Sequence, residues 1–342
     1  MFTFSATSLN SLAIHILNQE TGLLTGEELI DVSDAPLKEM LTSYLLSPFK
    51  DELLYKFSHE TALKYNEVYS YCLDIFENPK KLHEASIAIA KHLEAVSKHP
   101  LIKDGELFVA YCEQVEFDKQ VTDCIVIVKA ETRHSFLQVN NEKKRISIKS
   151  VDGIDTRKVD KAVLIFNQRQ REGFRVKLID NVKGENAHFW KDDFLGIVEL
   201  ENSYSFTNNY LSIAKSFIVN ELQDEYSKVD QAGLLNKTLK YFNENEQFKS
   251  GDFEKKVFED PALVKSFRNF GSRMLEERDI DISDQFEISG PAVKRSQKSF
   301  KSVIKLDKNF HIYIHGDRSL IEQGVDKQSG KKYYKIYFDK ED

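Results

Sequence analysis

His311 and His315, four residues apart, are the strongest candidates for a pair of metal ligands in the chain. On a helix, this spacing would place both imidazoles on one face, where they could share a metal ion. The surrounding segment, Phe310-His-Ile-Tyr-Ile-His315, alternates apolar and polar residues, and this pattern predicts a β-strand. Four residues along a strand separate two side chains by about 13 Å, too far for a shared ion. The spacing therefore predicts no metal centre.

Motifs of known catalytic chemistry are absent from the sequence. There is no Gly-x-Ser-x-Gly elbow, no Walker A loop and no Gly-x-Gly-x-x-Gly, so neither a serine nucleophile nor a phosphate cradle is predicted. A metal-dependent nuclease would need carboxylates and a lysine close together on a sheet. Asp123 and Lys129 share one predicted strand, but Ile127 stands where a carboxylate would be wanted. We predict a protein without catalytic activity or cofactor, and keep a divergent nuclease as an alternative.

The cysteines, Cys72, Cys112 and Cys124, are odd in number and far apart in sequence. This pattern indicates neither a disulfide framework nor a Cys-x-x-Cys metal site, and the apolar neighbours predict buried side chains. No apolar run is long enough to cross a bilayer, and the N-terminus lacks the pattern of a signal peptide. We therefore expect a cytoplasmic protein with no membrane partner.

Charge is distributed unevenly along the chain, whose formal net charge is −7. Residues 141–191 carry 13 Lys and Arg against 7 Asp and Glu, and residues 290–342 carry 12 against 7. The other two segments, residues 1–140 and 192–289, each have a net charge of −9. Local charge decides how a charged ligand is steered, so the two basic segments predict contact with an anionic polymer. The alternative is that these charges only solvate ordinary surfaces.

The periodicity of apolar residues predicts an α+β fold: an antiparallel sheet with packed helices, a helical middle region and a small C-terminal α/β part. We place an α+β domain at residues 1–200, a helical region at 201–284 and a strand-rich domain at 285–342. Predicted helices span about 35–46, 59–76, 79–98, 209–222, 232–246 and 261–277. Predicted strands span about 9–17, 107–111, 124–128, 145–148, 163–166, 174–178, 300–306, 310–314 and 333–338.

In the first basic segment, Arg169 and Arg171 occupy a predicted hairpin tip, and Arg175 and Lys177 lie on the returning strand. A basic β-ribbon of this kind can lie along a nucleic-acid groove or grip its phosphates. A predicted neighbouring strand would add further cations to this surface: Lys143, Lys144 and Arg145. The competing interpretation is a solvated loop.

In the second basic segment, strand alternation places His311 and Tyr313 on one face, and Tyr333 and Lys335 on the corresponding face of the last strand. If these strands share a sheet, the face can stack bases or bind phosphates. A further set of cations leads into it: Lys294, Arg295, Lys298, Lys301 and Lys305. Alternatively, a helix or a second subunit covers this face.

Four stretches of the sequence resemble the bacterial nucleoid-associated protein family of the NdpA type. They are Leu9-Asn-Ser-Leu-Ala-Ile-His-Ile-Leu17; Ser135-Phe-Leu-Gln-Val-Asn140 with Val159-Asp-Lys-Ala-Val163; Phe189-Trp-Lys-Asp-Asp-Phe-Leu-Gly196; and Ile304-Lys-Leu-Asp-Lys-Asn-Phe-His-Ile-Tyr-Ile-His-Gly316 with Tyr333-Tyr-Lys-Ile-Tyr337. The resemblance implies a cytoplasmic protein of the nucleoid that binds DNA and has no enzymatic activity. It assigns no base-reading or catalytic residue. The Phe194-Leu195-Gly196 box also has a structural explanation, in which two side chains pack and the glycine ends a short helix.

Together these observations predict a DNA-binding protein that contacts phosphates through both basic segments, and a homodimer would double those contacts. The prediction depends on the cations of these segments forming one continuous surface. An alternative is a protein-interaction module that a DNA-processing protein recruits to the nucleoid through the acidic segments.

Overall fold

The computed structural model describes residues 2–50, 52–97, 102–142, 145–181, 189–278, 280–297, 299–300, 303–313 and 320–340. The chain divides into two units, residues 1–200 and residues 201–342. Each basic segment is therefore considered within its own unit.

The first unit is built on an antiparallel sheet of nine strands. The strands of this unit are β1 (Phe2–Thr3), β2 (Ser8–Asn18), β3 (Gly22–Thr25), β4 (Tyr55–Phe57), β5 (Gly105–Phe117), β6 (Gln120–Ala130), β7 (Arg133–Glu142), β8 (Arg145–Ile154), β9 (Lys161–Phe166), β10 (Arg175–Asp180) and β11 (Ile197–Glu199). The order in the sheet is β11-β4-β10-β9-β6-β5-β2-β3, and β1 pairs with β5. The predicted antiparallel sheet is confirmed.

Both faces of the sheet are covered, which explains the continuous apolar runs of its central strands. Helix α1 (Ala35–Leu46) packs on one face, and helices α2 (Glu67–Glu77) and α3 (Leu82–Val96) pack on the other. Along β9, Val163 and Ile165 join the core beneath α2 and α3, whereas Ala162, Leu164 and Phe166 join the core beneath α1.

Helix α2 begins later than predicted because Asn66 caps it. The Asn66 side-chain oxygen accepts from the Tyr69 backbone N–H at 2.9 Å, and residues 63–65 form a separate 3-10 turn. Helix α1 begins where predicted and is capped by Asp34, whose carboxylate oxygen accepts from the Leu37 N–H at 2.9 Å. Cys72, Cys112 and Cys124 are buried and not disulfide-bonded, as the sequence predicted.

Strands β7 and β8 form a ribbon of their own, separate from the nine-stranded sheet. They pair from Arg133 opposite Ile154 to Glu142 opposite Arg145. The ribbon is inserted between β6 and β9, and at its base the Asp160 carboxylate accepts from the Glu131 and Thr132 N–H groups at 2.7 and 2.9 Å. Of this ribbon, the sequence predicted only a short strand at 145–148.

The second unit combines a helical core with short hairpins. Its helices are α4 (Ser203–Ser216), α5 (Lys228–Glu244), α6 (Ser250–Val257), α7 (Pro261–Arg278) and α8 (Gly290–Gln297). Its strands are β12 (Gln247–Lys249), β13 (Gln285–Glu287), β14 (Val303–Leu306), β15 (Phe310–Tyr313), β16 (Ile321–Val325) and β17 (Lys332–Ile336). They pair as β12 with β13, β14 with β15, and β16 with β17. The α+β class is confirmed.

Phenylalanine side chains fill the core between these helices, including Phe217, Phe242, Phe248, Phe253 and Phe267. The C-terminal hairpins have a much smaller buried area. Leu306 and Ile312 of one hairpin, and Ile321 and Tyr334 of the other, pack on a small cluster that includes Ala232 of α5. Among the described residues, no helix is both long and apolar enough to span a bilayer.

Candidate nucleic-acid interface

The turn between β9 and β10 presents two exposed arginines, as predicted. Arg169 has a left-handed backbone conformation (φ 55°) and an exposed side chain, and Arg171 lies in the 3-10 turn that follows. Gly173 ends this turn at φ 95°, and a Cβ there would come within 2.3 Å of the Phe57 carbonyl oxygen. The Phe57 N–H donates to the Gly173 carbonyl at 2.8 Å. The turn is thus held against β4 with its arginines at the surface.

Arg175 is already engaged by a carboxylate. Its Nη2 donates to Glu172 Oε2 at 2.8 Å, and its Nη1 donates to the Phe174 carbonyl at 3.3 Å. The hydrogen bond from Arg175 and the nearby arginine charges lower the pKa of Glu172, so this carboxylate is ionised at neutral pH. Arg169 Nη1 lies 3.5 Å from the same carboxylate. Glu172 therefore offsets part of the positive charge of this turn.

Lys177 is buried rather than exposed, and the prediction that it faces a phosphate is wrong. It is 6 % exposed, and its amine lies 5.6 Å from the centroid of the Phe2 ring. The alternation of β10 directs Val176 and Leu178 to the core beneath α2 and α3. Lys177 consequently points to the opposite face, where Phe2 of β1 covers it.

The strand that was expected to carry further cations beside the arginine turn does not neighbour β10. Arg145 begins β8, which pairs with β7 in the separate ribbon. That ribbon joins the sheet next to Lys161 at the start of β9, whereas the arginine turn follows the other end of β9. Lys143, Lys144 and the side chain of Arg145 lie outside the described residues.

In the second unit, Lys294 and Arg295 belong to helix α8, where the sequence analysis expected only a lead into strands. Both are exposed, and Arg295 Nη1 lies 3.2 Å from the Tyr204 hydroxyl. Helix α8 begins at Gly290-Pro291, and proline is well tolerated in the first turn of a helix. Lys298, Lys301 and the side chain of Lys305 lie outside the described residues.

The described C-terminal strands form two separate hairpins, so the condition that the strands of His311 and Lys335 share one sheet is not met. His311 and Tyr313 lie on β15, whereas Tyr333 and Lys335 lie on β17, and β16 was not predicted. All four side chains are exposed as expected. The opposite face of these strands is only partly buried: Ile312 and Tyr334 are half-buried on the cluster at α5, whereas Phe310 is 66 % and Phe338 68 % exposed.

An aromatic and basic row runs along the outward face of β17 and the residue just beyond it, and we call it the tyrosine row: Tyr333, Lys335 and Tyr337. The Tyr333 ring lies over Gly324 of β16, where a Cβ would come within 2.4 Å of Tyr333 Cζ. The Lys335 amine lies 4.7 Å from the centroid of the Tyr337 ring. Tyr337 follows from the same alternation as Tyr333 and Lys335 but was not among the predicted site residues.

The alternative nuclease site is not assembled. Asp123 and Lys129 lie six residues apart on β6, a separation of about 20 Å along a strand. The Asp123 carboxylate accepts from the Tyr111 hydroxyl at 2.9 Å. Lys129 is buried, and its amine lies 3.0 Å from Glu131 Oε1. Within the described ranges, no three His, Cys, Asp or Glu residues are grouped so that they could hold a metal ion.

Lys129 belongs to a buried ionic cluster that the sequence analysis missed. Its amine donates to the Lys103 carbonyl at 2.7 Å, and burial lowers its pKa. Glu131 is nearly buried between this lysine and Lys161, whose amine lies 3.2 Å from Asp180 Oδ1. Alternating opposite charges explain how four ionisable groups can share a core at the end of the sheet.

The model of the nucleoid-associated protein YejK family matches residues 13–337 of the chain. The chain belongs to this family. Among curated proteins, none matches the chain. The match confirms the resemblance to a bacterial nucleoid-associated family.

The Phe-Leu-Gly box of this member of the YejK family has the structural role that the sequence suggested. Phe194 and Leu195 are buried at the end of a π-helical turn, Phe189–Leu195, and Gly196 follows it at φ 59°. The Asn66 side-chain amide donates to the carbonyls of Leu195 and Gly196 at 2.9 and 3.1 Å. Asn66 therefore ties the start of α2 to the end of the box.

Proposed function

We propose that the chain is a cytoplasmic, nucleoid-associated protein that binds DNA without catalysing a reaction. Family membership across residues 13–337 carries the proposal. Contacts with phosphates would come from exposed cations of residues 141–191 and 290–342. Of the cations that the sequence predicted as contacts, those that are described and exposed are Arg169, Arg171, Lys294, Arg295 and Lys335.

The first unit supports the proposal through the exposure of the arginine turn. Arg169 and Arg171 project at a hairpin end where the backbone is held by β4, so a phosphate can approach without rearrangement of the sheet. Each phosphate that a cation neutralises releases counterions, so the affinity should fall with salt. Lys177 is not among the proposed phosphate contacts because its side chain is buried.

The second unit supports a contact of a different kind. The tyrosine row places a lysine between two exposed tyrosine rings. Rings presented this way stack on bases, which are accessible in single strands, while the lysine binds the backbone. We therefore propose that this unit adds affinity for single-stranded DNA.

The test is a salt titration of binding by fluorescence anisotropy, with pure protein, a duplex and a single strand of the same sequence. We expect the double variant Arg169→Glu/Arg171→Glu to weaken duplex binding. The slope of log affinity against log salt should become shallower by about 1.8, or about 0.9 for each lost contact. Lys64→Glu/Lys80→Glu makes the same charge change at exposed lysines outside the basic segments and should leave the slope unchanged.

Failure of pure wild-type protein to bind either DNA at low salt would overturn the proposal. A protein-interaction module, recruited by a DNA-processing partner, would then be the better explanation. Incubation of a plasmid with Mg²⁺ or Mn²⁺ tests the absence of catalysis, since cleavage that Asp123→Ala abolishes would show a nuclease. We also propose a homodimer, since two copies double the number of phosphate contacts.

A further inference from the structure

A cavity of about 210 Å³ lies at the base of the β7–β8 ribbon, where the ribbon leaves the nine-stranded sheet. Its wall combines helix α1, the end of β6, the start of β7, the end of β8 and the loop that leads to β9. We call it the ribbon-base cavity, and its lining residues are Tyr44, Ala130, Thr132, His134, Ile154, Asp155, Lys158 and Asp160. Most small-molecule sites measure roughly 300–1,000 Å³, so this cavity fits a ligand no larger than one flat ring system.

The Tyr44 hydroxyl is a buried donor to which the described part of the chain offers no acceptor. The side chain is 3 % exposed, and its ring packs edge-on against Phe108 with the centroids 5.8 Å apart. Burial and the negative charge of Asp160 raise the pKa of Tyr44 to about 12, so the phenol keeps its proton at neutral pH. A buried O–H that donates to nothing destabilises a fold, and most buried polar groups are paired. This hydroxyl therefore requires an acceptor, and Tyr44 lines the ribbon-base cavity.

Two carboxylates supply acceptors to the cavity, and neighbouring groups hold both in place. Asp160 accepts from the Glu131 and Thr132 N–H groups and, at 2.9 Å, from the Thr132 hydroxyl. Arg157 donates to both oxygens of Asp155 at 2.8 and 3.0 Å, which holds the pKa of this carboxyl well below its usual range. The Arg157 backbone N–H makes a third bond to Asp155. A carboxylate has about four lone-pair sites, so each can still accept from a ligand.

The rest of the lining is largely apolar. Ala130 is buried and Ile154 is half-buried, and both present hydrocarbon surface. His134 is half-buried and lies close enough to Asp155 for its charge to lower the pKa of that carboxyl. A flat ring can therefore pack its faces on hydrocarbon while its edge meets the phenol and the carboxylates.

The chemistry of the lining excludes three classes of ligand. Asp155 and Asp160 would repel a phosphate, and a hydrocarbon would leave the Tyr44 hydroxyl unpaired. A metal ion offers no acceptor to that hydroxyl, and in the ranges that the structure describes no three ligating side chains are grouped to hold one. An uncharged ring with an acceptor beside an N–H group satisfies both the phenol and a carboxylate. Nucleobases present such an edge.

We propose that the ribbon-base cavity binds an uncharged nucleobase, supplied by a free nucleoside or by an unpaired DNA strand. An acceptor of the base receives the Tyr44 O–H, an N–H of the base donates to Asp160, and Ala130 and Ile154 pack on the ring. Pockets that take up a single base recognise it in this way, through hydrogen bonds to its edge and packing on its faces. A free nucleoside is independent of the proposed DNA binding, whereas an unpaired base rests on it.

Scanning calorimetry of the full chain tests the proposal without DNA. We expect at least one of four nucleosides at millimolar concentration to raise the Tm of the first unit until the site is saturated: adenosine, guanosine, cytidine or thymidine. Inorganic phosphate and toluene represent the excluded anions and hydrocarbons and should leave this Tm unchanged.

Tyr44→Phe keeps the ring and removes the unpaired hydroxyl. Without nucleoside, the Tm should stay the same or rise, because no hydrogen bond is lost. The affinity for the nucleoside should fall by roughly 2- to 12-fold, the loss of one neutral hydrogen bond. Tyr111→Phe is the matched control, since the buried Tyr111 donates to Asp123 at 2.9 Å. That variant should lower the Tm and keep the nucleoside affinity of the wild type.

Hydrogen exchange of the wild type locates the nucleoside without any variant. We expect slower exchange at residues 132–134 and 154–160 and no change at the tyrosine row. Single-stranded DNA that displaces the nucleoside would identify an unpaired base as the ligand, and a lack of displacement would identify a free nucleoside.

Three results would each overturn the proposal: no response to any of the four nucleosides, protection confined to the tyrosine row, or a Tyr44→Phe variant that loses as much Tm as Tyr111→Phe. The last would mean that water already satisfies the hydroxyl. The salt titration of the arginine turn uses none of these measurements, so the two hypotheses fail separately.

Discussion

Glu172 Oε2 lies 2.8 Å from Arg175 Nη2 across three residues of the β9–β10 turn. The same carboxylate lies 3.5 Å from Arg169 at the tip of the turn. The turn therefore presents a partly neutralised pair of arginines next to Arg171. A phosphate that binds here competes with Glu172 for the guanidinium groups.

Glu172→Gln should consequently strengthen DNA binding. Loss of the carboxylate removes a competing anion, and an arginine that gains a phosphate makes the salt slope steeper by about 0.9. Fluorescence anisotropy with duplex DNA at several salt concentrations measures both quantities. Glu20→Gln removes one exposed negative charge outside the basic segments and serves as the control. A slope that is identical in both variants would place the DNA contact away from this turn.

Tyr337→Ala and Tyr333→Ala should weaken binding to single-stranded DNA more than binding to duplex. Stacking on an aromatic side chain contributes about 1–3 kcal/mol per base, so each variant should lose roughly 5- to 150-fold in affinity. Tyr333→Phe and Tyr337→Phe keep the ring and should retain most of the affinity. An equal loss for duplex and single strand would mean that the hairpin contacts phosphates and does not stack bases.

Gly196→Ala should destabilise the first unit. Alanine is strained at φ 59°, and its Cβ would come within 2.6 Å of Asn66 Nδ2, whose amide holds two carbonyls of the box. We expect a loss of about 1–3 kcal/mol in the free energy of unfolding and a fall of several degrees in Tm. Trp190, the single tryptophan, is buried in this unit, so its fluorescence reports the transition.

Gly251→Ala controls for the replacement of a glycine as such, and because Gly251 lies in the second unit its transition is followed by circular dichroism rather than by Trp190 fluorescence. Gly251 lies in helix α6, and a Cβ there would meet no atom within 4 Å. Alanine favours a helix over glycine, so this variant should keep or slightly raise Tm. If Gly196→Ala unfolds at the same temperature as the wild type, the Phe-Leu-Gly box can accommodate a Cβ at residue 196. The contact with Asn66 would then not be what requires glycine at this position.

The elements that the sequence predicted correctly carry strong local signals. Asp34 before Ala35-Pro36 marks the start of α1, and the polar residues around Arg169 separate two buried apolar strands. The ribbon lacks such a signal, because residues 133–141 mix polar and apolar side chains and none of these is buried. Helix α8 was not predicted because it is only eight residues long, begins with Gly290-Pro291 and buries only Ala292 and Val293.

The errors at the candidate site come from contacts between residues distant in sequence. Lys177 is covered by Phe2, and no pattern around residue 177 indicates that a strand from the N-terminus lies over it. The pairing of Lys129 with Glu131 could have been suspected from their spacing on a strand. Their burial depends on elements elsewhere in the unit, such as the Lys103 carbonyl and Phe189.

Acid should destabilise the first unit through His15. The imidazole is 1 % exposed, its Nδ1 accepts from the Gly26 N–H at 3.2 Å, and its Nε2 lies 2.9 Å from Ser86 Oγ. Since Ser86 Oγ donates to the His83 carbonyl at 2.7 Å, the His15 ring is neutral and donates from Nε2. Burial, with the nearby His83, lowers the pKa of His15 from 6.5 to about 4.

Between pH 6.5 and about pH 4, His15 binds a proton in the unfolded chain but not in the folded chain. The free energy of unfolding therefore decreases as the pH falls through this window, by about 1–2 kcal/mol once solvent screening is allowed for. Urea unfolding followed by Trp190 fluorescence at about pH 7 and about pH 4.5 measures the loss. His15→Gln removes the titrating ring and should flatten the dependence, whereas His311→Gln replaces an exposed histidine of the second unit and should not. An equally steep dependence in His15→Gln would assign the acid sensitivity to other groups.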